Sequence, residues 1–199
     1  MIVENIILTG ANGKLGKELK HFLEVKPFKY DITKPFYTDD CDMIIHAAAY
    51  TETADAENNA WKCFNANVVG TQNLVDTYFD VPFVYISSEY AKNPLGVYAM
   101  SKAMGESVVK AHPHHLIIRT LFKPRPWPFE YAYSDQMTQG DYVDTIAKCI
   151  ADVIKAWDGT SKTIYVGTGR KSMYDLAKQT KSDVIANNIT NPIIPHDYL

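Results

Sequence analysis

The chain has 199 residues, of which 46% are hydrophobic and 22% charged, as in an ordinary soluble globular protein. A net charge of −3 with dispersed Lys and Arg residues argues against nucleic-acid binding, and no apolar run approaches the roughly 20 residues that span a bilayer. Cys41, Cys63 and Cys149 lack CxxC spacing, and the N-terminus lacks the features of a signal peptide. We therefore expect a cytoplasmic protein with reduced thiols.

Apolar and amphipathic segments alternate along the chain. Strands are predicted over 5–10, 42–49, 83–88, 115–120 and 163–169, and helices near 14–24, 56–79, 96–111, 140–156 and 172–180. This alternation predicts an α/β fold with a doubly wound parallel sheet of the Rossmann type. We expect a single dinucleotide-binding domain over 1–199, in which residues from about 120 to 199 add a minimal C-terminal substrate lobe.

A glycine-rich turn follows the first predicted strand. "ILTGANGKLGKEL" places Gly10, Gly13 and Gly16 between that strand and a helix. Small residues let the backbone approach a pyrophosphate, and the helix start offers free N–H groups. The alternative is a plain glycine-rich turn, but the strand–turn–helix context favours dinucleotide binding.

The segment "EVKPFKYDITKP" leaves room for only a short or broken second strand. Asp31 at its end is a candidate for binding the adenosine ribose, which would favour NAD. Lys26 or Lys29 could instead accept the 2′-phosphate of NADP. Asp31 as a turn residue is equally consistent with the sequence, so NAD and NADP both stay open.

A candidate catalytic group follows the strand "FVYISS". Ser88 ends this strand, and Tyr98 and Lys102 lie four residues apart on the next helix, where they would share one face. A neighbouring ammonium is expected to lower the pKa of a tyrosine and make it a usable acid or base. Serine can hydrogen-bond the oxygen of a carbonyl that becomes an alcohol. Taken alone, Y-x-x-x-K is common in ordinary helices.

These segments together resemble the extended short-chain dehydrogenase/reductase superfamily, and within it the dTDP-4-dehydrorhamnose reductase group. The matching segments are "TGANGKLGKEL", "YDIT", "DMIIHAAAYT", "NANVVGTQNL", "YISSEY", "NPLGVYAMSKAMGE", "IIRT" and "DQMTQGDYVDTIA". The resemblance implies an NAD(P)-dependent oxidoreductase that reduces a keto group on a nucleotide-linked deoxysugar. It also implies a homodimer through the helix after "HAAAYT" and the tyrosine–lysine helix.

The resemblance assigns roles to individual residues. The catalytic residues would be Ser88, Tyr98 and Lys102. The cofactor would contact Gly10, Asn12, Gly13, Leu15, Gly16, Asp31, Ile32, Ala47, Ala48, Ala49, Tyr98 and Lys102. The substrate would contact Ser88, Glu89, Arg119 and Trp127, and no metal is expected.

The chain also departs from the family pattern. Ser88 and Tyr98 are closer in sequence than usual, so a substrate-facing loop is missing, and the C-terminal part is short. A noncatalytic NAD(P)-binding sensor and a nucleotide-sugar epimerase are therefore the alternatives to a reductase. A 4,6-dehydratase is less consistent with Glu89 followed by Tyr90, because dehydratases of this superfamily carry a second carboxylate there.

Two further features allow structural interpretations. "HPHH" at 112–115 suggests a metal site, but a solvated turn explains these histidines better. Trp127 and Phe129 follow Arg119 in the proline-rich "KPRPWPFE" and are equally consistent with a pocket wall and with core packing.

Overall fold

The computed structural model describes residues 4–37 and 39–197. Its strands are β1 (Ile6–Thr9), β2 (Lys26–Pro27), β3 (Met43–His46), β4 (Phe83–Ser88), β5 (His115–Thr120), β6 (Phe122–Lys123), β7 (Tyr131–Tyr133), β8 (Met137–Thr138), β9 (Asp141–Tyr142), β10 (Lys162–Tyr165), β11 (Lys171–Ser172) and β12 (Ile185–Asn187). Its α-helices are α1 (Lys14–Leu19), α2 (Thr53–Ala56), α3 (Ala60–Phe64), α4 (Gly70–Thr77), α5 (Gly96–Val109), α6 (Val143–Ala156) and α7 (Met173–Lys178).

A six-stranded sheet forms the centre of the protein. Its order is β10-β5-β4-β3-β1-β2, and each neighbouring pair is parallel. The predicted α/β fold with a parallel sheet is confirmed. Because β1 lies between β2 and β3, the strand order reverses there, and a crevice opens at the carboxyl ends of β1 and β3.

The sheet is apolar on both faces, as the short apolar strands predict. Alternate residues enter two buried clusters: Leu8 and Ile45 join the cluster packed with α1 and α6, whereas Ile7 and Ile44 join the cluster packed with α4 and α5. Both sides of the sheet are therefore covered by helices.

The helix predicted over 56–79 is divided. α2 is a separate short helix, and α3 continues through a π-helical stretch (Asn65–Val69) into α4. A π-helical turn carries an extra residue, which is typical of positions where a side chain bonds elsewhere. Asn67 is the buried residue of this turn.

The residues after β5 build a small lobe with its own apolar cluster. Trp127, Tyr142, Met173 and Leu176 belong to this cluster, which lies beside short strand pairs such as β7 with β12. Within the described residues, no helix is long and apolar enough to cross a membrane.

Candidate active site

The glycine turn brings the backbone after β1 close to the backbone after β3. Gly10 has a φ of +69°, and a Cβ atom there would lie 2.7 Å from the amide nitrogen of Ala48 and 2.8 Å from the carbonyl carbon of Ala47. A Cβ on Gly16 would overlap the carbonyl oxygen of Gly10. The backbone segments can therefore approach this closely only because these positions lack side chains.

The other residues of the turn take different positions. Asn12 and Gly13 are exposed at its tip, and the Gly13 N–H donates to the Gly10 carbonyl at 2.9 Å. Leu15 is buried in the cluster beneath the sheet. Its side chain thus anchors the turn from below rather than projecting from it.

Asp31 forms a local turn. Its Oδ1 accepts hydrogen bonds from the Thr33 N–H at 2.9 Å and the Thr33 hydroxyl at 2.8 Å, and these bonds lower the pKa of the exposed carboxyl. Ile32 is buried against Gly70, and its carbonyl accepts from the Asn73 amide at 2.8 Å. Asp31 is therefore a turn residue in the structure, and the Ile32 side chain is packed in the core.

A buried histidine supports the segment Ala47–Ala49 where it leaves the sheet. His46 pairs through Nδ1 with the Thr9 hydroxyl at 2.7 Å and through Nε2 with the Thr71 hydroxyl at 3.0 Å. Burial, and then the charge of Lys102, lower the pKa of His46 to about 3, so the ring is neutral near pH 7. His46 was missed by the sequence analysis because both partners are distant in sequence.

Ser88 and Tyr98 meet at the carboxyl end of β4. Burial raises the pKa of the Tyr98 phenol above its usual range, and a hydrogen bond with the Ser88 side chain opposes this effect. The Ser88 hydroxyl also accepts from the Tyr90 N–H at 3.2 Å. Tyr98 is therefore a neutral phenol near pH 7, with its hydroxyl positioned by a serine.

Lys102 does not act on Tyr98 as the sequence analysis expected. Its Nζ donates to the Ile86 carbonyl at 2.9 Å and lies 4.1 Å from the centre of the Tyr85 ring, beneath β4. Burial lowers the pKa of Lys102 to about 7, against an opposing effect of Glu106. The expected lowering of the Tyr98 pKa is wrong for this structure, because burial dominates and Lys102 is not among the groups that shift it.

Arg119 braces the sheet and does not line the cavity next to Tyr98. Its Nε and Nη2 donate to the two carboxylate oxygens of buried Glu106 at 2.8 and 2.7 Å, and its Nη1 donates to the Tyr165 hydroxyl at 3.0 Å. Glu106 also accepts from the Ser87 hydroxyl at 2.6 Å. These bonds hold α5 against β4 and β5, and the expected contact of Arg119 with a substrate stays a prediction.

Glu89 likewise faces the protein interior. Its carboxylate accepts from the Thr138 hydroxyl at 2.7 Å and the Gln139 N–H at 3.1 Å, and burial raises its pKa. Glu89 is 1% exposed, so it ties the end of β4 to β8. The expected substrate contact of Glu89 stays a prediction, as it does for Arg119.

A cavity of about 490 Å³ lies between the sheet and the small lobe. Tyr98 and Trp127 are in its wall, as are Ile193 and Ile194 from the C-terminal segment. Trp127 is also buried in the lobe cluster, and its Nε1 donates to the Tyr131 carbonyl at 3.2 Å. Trp127 is therefore both in the wall of the cavity and packed in the core. The sequence analysis did not predict that the C-terminal segment contributes to the wall.

Asn67 connects the segment after β3 with α5. It accepts from the Tyr50 N–H at 2.7 Å and donates to the Tyr50 carbonyl at 3.1 Å and the Ser101 hydroxyl at 2.8 Å. Because Ser101 directly precedes Lys102, these bonds fix the helix that carries Tyr98 and Lys102. Nothing in the local sequence singled out Asn67, although "NANVVGTQNL" was among the matching segments.

The histidines at 112–115 make structural contacts. His112 is buried, and its Nε2 pairs with the Tyr78 carbonyl at 3.0 Å while its Nδ1 accepts from the His114 N–H at 3.1 Å. His115 Nδ1 pairs with the His112 carbonyl at 2.8 Å. The motif thus closes the turn between α5 and β5.

Comparison with known proteins places this site in a recognisable family. The RmlD substrate binding domain family matches residues 4–123. A dTDP-4-dehydrorhamnose reductase of Mycobacterium tuberculosis is 29% identical over 150 residues, which cover 59% of this chain and 49% of that protein. A UDP-N-acetylglucosamine 4,6-dehydratase (inverting) of Campylobacter jejuni is 26% identical over 144 residues, covering 54% and 43%.

A solved structure shares the fold over the whole chain. The dTDP-4-dehydrorhamnose reductase of Bacillus anthracis, in complex with NADP, is 25% identical and superposes with a TM-score of 0.81, covering 100% of this chain and 89% of that one. The sequence matches span about half the length of the curated relatives. The family match, in contrast, extends over more than half of this chain and includes the glycine turn, Ser88, Tyr98 and Lys102. The chain therefore belongs to the RmlD substrate binding domain family.

Proposed function

We propose that the chain is an NADP(H)-dependent reductase that converts a keto group of a nucleotide-linked deoxysugar into an alcohol. The observation that carries this proposal is that Ser88 at the end of β4 lies close to Tyr98, and that Tyr98 is in the wall of a cavity of about 490 Å³. The similar proteins named as dTDP-4-dehydrorhamnose reductases support the same reaction class.

The crevice beside this pair fits a dinucleotide. Gly10 and Gly16 let the glycine turn pack tightly, and Gly10 lies directly against the backbone of Ala47 and Ala48. We assign the phosphates to the backbone around Gly10 and Gly13. NADP(H) is preferred to NAD because the similar Bacillus anthracis structure contains NADP.

The residues of the chain supply the proton. When bound, the reduced nicotinamide supplies the two electrons and the hydrogen that the carbonyl carbon gains. The carbonyl oxygen takes the phenolic proton of Tyr98, and water then reprotonates the phenolate. Since burial raises the pKa of Tyr98, the phenol is protonated near pH 7, and release of its proton to the carbonyl oxygen requires stabilisation of the phenolate in the loaded site.

The positions of Ser88 and Lys102 fit supporting roles. The Ser88 hydroxyl bonds Tyr98 and can share the oxygen whose charge changes. Lys102 lies one helical turn after Tyr98 with its ammonium under β4. We assign Lys102 to holding the cofactor ribose.

We further propose a homodimer that works in the cytoplasm. Free thiols at Cys41, Cys63 and Cys149 are consistent with a reducing compartment. Exposed apolar side chains on α3 and α5 support the dimer.

The test is a turnover assay on the purified chain with NADPH and 4-keto sugars linked to dTDP, UDP or GDP, followed by the absorbance of reduced nicotinamide. Tyr98→Phe should lower kcat/KM by about 10² or more, because the proton donor is lost. Tyr131→Phe is the matched control, since Tyr131 lines the same cavity. NADPH binding without turnover of any sugar would favour the noncatalytic sensor instead.

A further inference from the structure

Lys123 is a cation in the cavity wall without an acceptor for its ammonium. It lies in β6, directly after the strand that carries Arg119, and its side chain lines the cavity. Within residues 4–37 and 39–197, no hydrogen bond or ion pair involves its Nζ. Its neighbours are the rings of Phe129 and Trp127, whose centres lie 5.7 and 6.0 Å from Nζ.

These rings are a weak substitute for an anion. A cation–π contact requires a separation within about 6 Å, so both rings lie near the limit of that range. An ammonium has three N–H donors, and a ring face satisfies none of them fully. Lys123 is half-buried, so its ammonium is only partly hydrated.

The charges around Lys123 do not compensate it. Two carboxylates, Glu57 and Glu130, also line the cavity, but Oε1 of Glu57 accepts from the Val97 N–H at 2.7 Å. Burial and the like charge of Lys14 both lower the pKa of Lys123. The charge that acts on Lys123 is therefore another lysine, not an acid.

Lys14 is the lysine whose charge acts on Lys123. It is the first residue of α1 and directly follows Gly13 of the glycine turn. The like charge of Lys14 acts on Lys123, so the start of α1 adds to the positive potential at Lys123. Two cations in a partly closed site attract an anion more strongly than either does alone.

We propose that Lys123 binds an oxyanion of the ligand, a phosphate group, where the glycine turn meets the cavity. This inference rests on the proposed function and adds a residue that it does not include. The phosphate belongs either to the dinucleotide or to the diphosphate of a nucleotide-linked substrate. In both cases the bound oxyanion provides the acceptor that Lys123 lacks, and the aromatic rings hold the lysine stem.

The experiment compares the full-length wild type with Lys123→Met, Lys123→Arg and the control Lys155→Met. Lys155 is an exposed lysine in the last turn of α6 and does not line the cavity. Binding of NADPH, dTDP and inorganic pyrophosphate is measured by calorimetry at low and high salt. Thermal unfolding is measured in parallel.

We expect Lys123→Met to weaken at least one of these ligands about tenfold or more, with a smaller dependence on salt, while Lys123→Arg and Lys155→Met bind like the wild type. A loss confined to dTDP identifies the substrate diphosphate, and a loss confined to NADPH identifies the dinucleotide. Lys123→Met should unfold at an unchanged or higher temperature, because it removes an uncompensated cation; a purely structural lysine would lower it.

Unchanged affinity of Lys123→Met for every ligand that the wild type binds would overturn the proposal. So would a wild type that binds none of the three. If the wild type binds pyrophosphate but neither NADPH nor dTDP, the proposed function fails, and the pyrophosphate affinity of Lys123→Met alone decides the role of Lys123.

Discussion

Lys102 illustrates how one residue combines a functional position with a cost in stability. Its ammonium is buried, with the Ile86 carbonyl as its hydrogen-bond acceptor and the Tyr85 ring beside it. Burial lowers its pKa to about 7, against about 10.4 for a lysine in the unfolded chain. Between these values the unfolded chain binds a proton that the folded protein does not, so stability rises with pH over this interval.

Replacing Lys102 by Met should remove this dependence. We expect the unfolding free energy of the wild type, relative to Lys102→Met, to increase with pH by up to about 1.4 kcal/mol per unit between about pH 7 and 10. Below pH 7 the variant should be the more stable protein, because it no longer buries an ammonium. Urea unfolding of both proteins at several pH values measures the difference, and a difference that is constant with pH would show that Lys102 is not buried as a charge.

Gly10 permits a second prediction at the residue scale. Gly10→Ala should abolish NADPH binding, since its φ is +69° and its Cβ would lie within 2.7 Å of the Ala48 amide nitrogen. Gly159→Ala is the matched control, because Gly159 has a φ of +83° but nothing within 4 Å of a Cβ. Both changes impose a similar backbone strain, of about 1 kcal/mol.

The comparison of Gly10→Ala with Gly159→Ala separates the effect of the close backbone approach at Gly10 from the effect of backbone strain, which both variants share. Fluorescence titration with NADPH gives the binding constants, and circular dichroism shows whether each variant folds. If Gly10→Ala folds and binds NADPH as Gly159→Ala does, the crevice after β1 is not the dinucleotide site.

Not every site residue was equally accessible to prediction. Tyr98 and Gly10 were identified because their motifs are local: five residues within one helix, and seven across one turn and the start of the following helix. His46 and Asn67 were not identified, since their partners lie 37 and 17 residues away and only the folded sheet brings them together. The sequence analysis placed Arg119 and Glu89 correctly at strand ends. The directions of their side chains are set by hydrogen bonds to Glu106 and from Thr138.

At the scale of elements, α5 is held to the sheet by a buried ion pair. Glu106 is 1% exposed and receives two hydrogen bonds from Arg119 and one from Ser87. Removing one partner of such a pair leaves the other charge uncompensated in a poorly solvated position. The position of Tyr98 and Lys102 on the same helix therefore depends on a contact away from the cavity.

Glu106→Gln should destabilise the protein by about 3 kcal/mol, because Arg119 loses its counter-charge. Asp152→Asn is the control: Asp152 pairs with Lys148 on the exposed face of α6, and such pairs contribute about 0–1 kcal/mol. Urea unfolding at constant pH measures both values. Equal effects of the two substitutions would contradict a bracing role for Glu106.

The central strands were predicted because each contains a run of consecutive apolar residues. The second strand was expected to be short, and β2 has two residues. The small lobe was harder to predict. β7 and β12 have three residues each and pair across more than fifty positions of the chain. Segments this short carry no recognisable periodicity, so their pairing is decided by the packing of Trp127 and Leu176 beneath them.

At the scale of the whole molecule, an apolar surface extends over neighbouring helices. Trp61 on α3 is 75% exposed, and Val69, Met100 and Met104 on the adjoining π-helical turn and α5 are exposed by more than 40%. Large apolar side chains grouped on one surface are typical of an interface between proteins. α5 also carries Tyr98 and Lys102, so an interface here would order the helix that holds the candidate catalytic residues.

We expect the protein to form a homodimer through this surface and Trp61→Glu to convert it to a monomer, since a dimer would bury two uncompensated carboxylates. Tyr37→Glu is the control, because Tyr37 is 83% exposed in a loop outside the surface. Sedimentation velocity at micromolar concentrations distinguishes the two states. A wild type that sediments as a monomer would contradict this assignment, and so would a Trp61→Glu protein that sediments as a dimer. A monomeric Trp61→Glu protein with reduced NADPH turnover would connect the interface to the position of Tyr98.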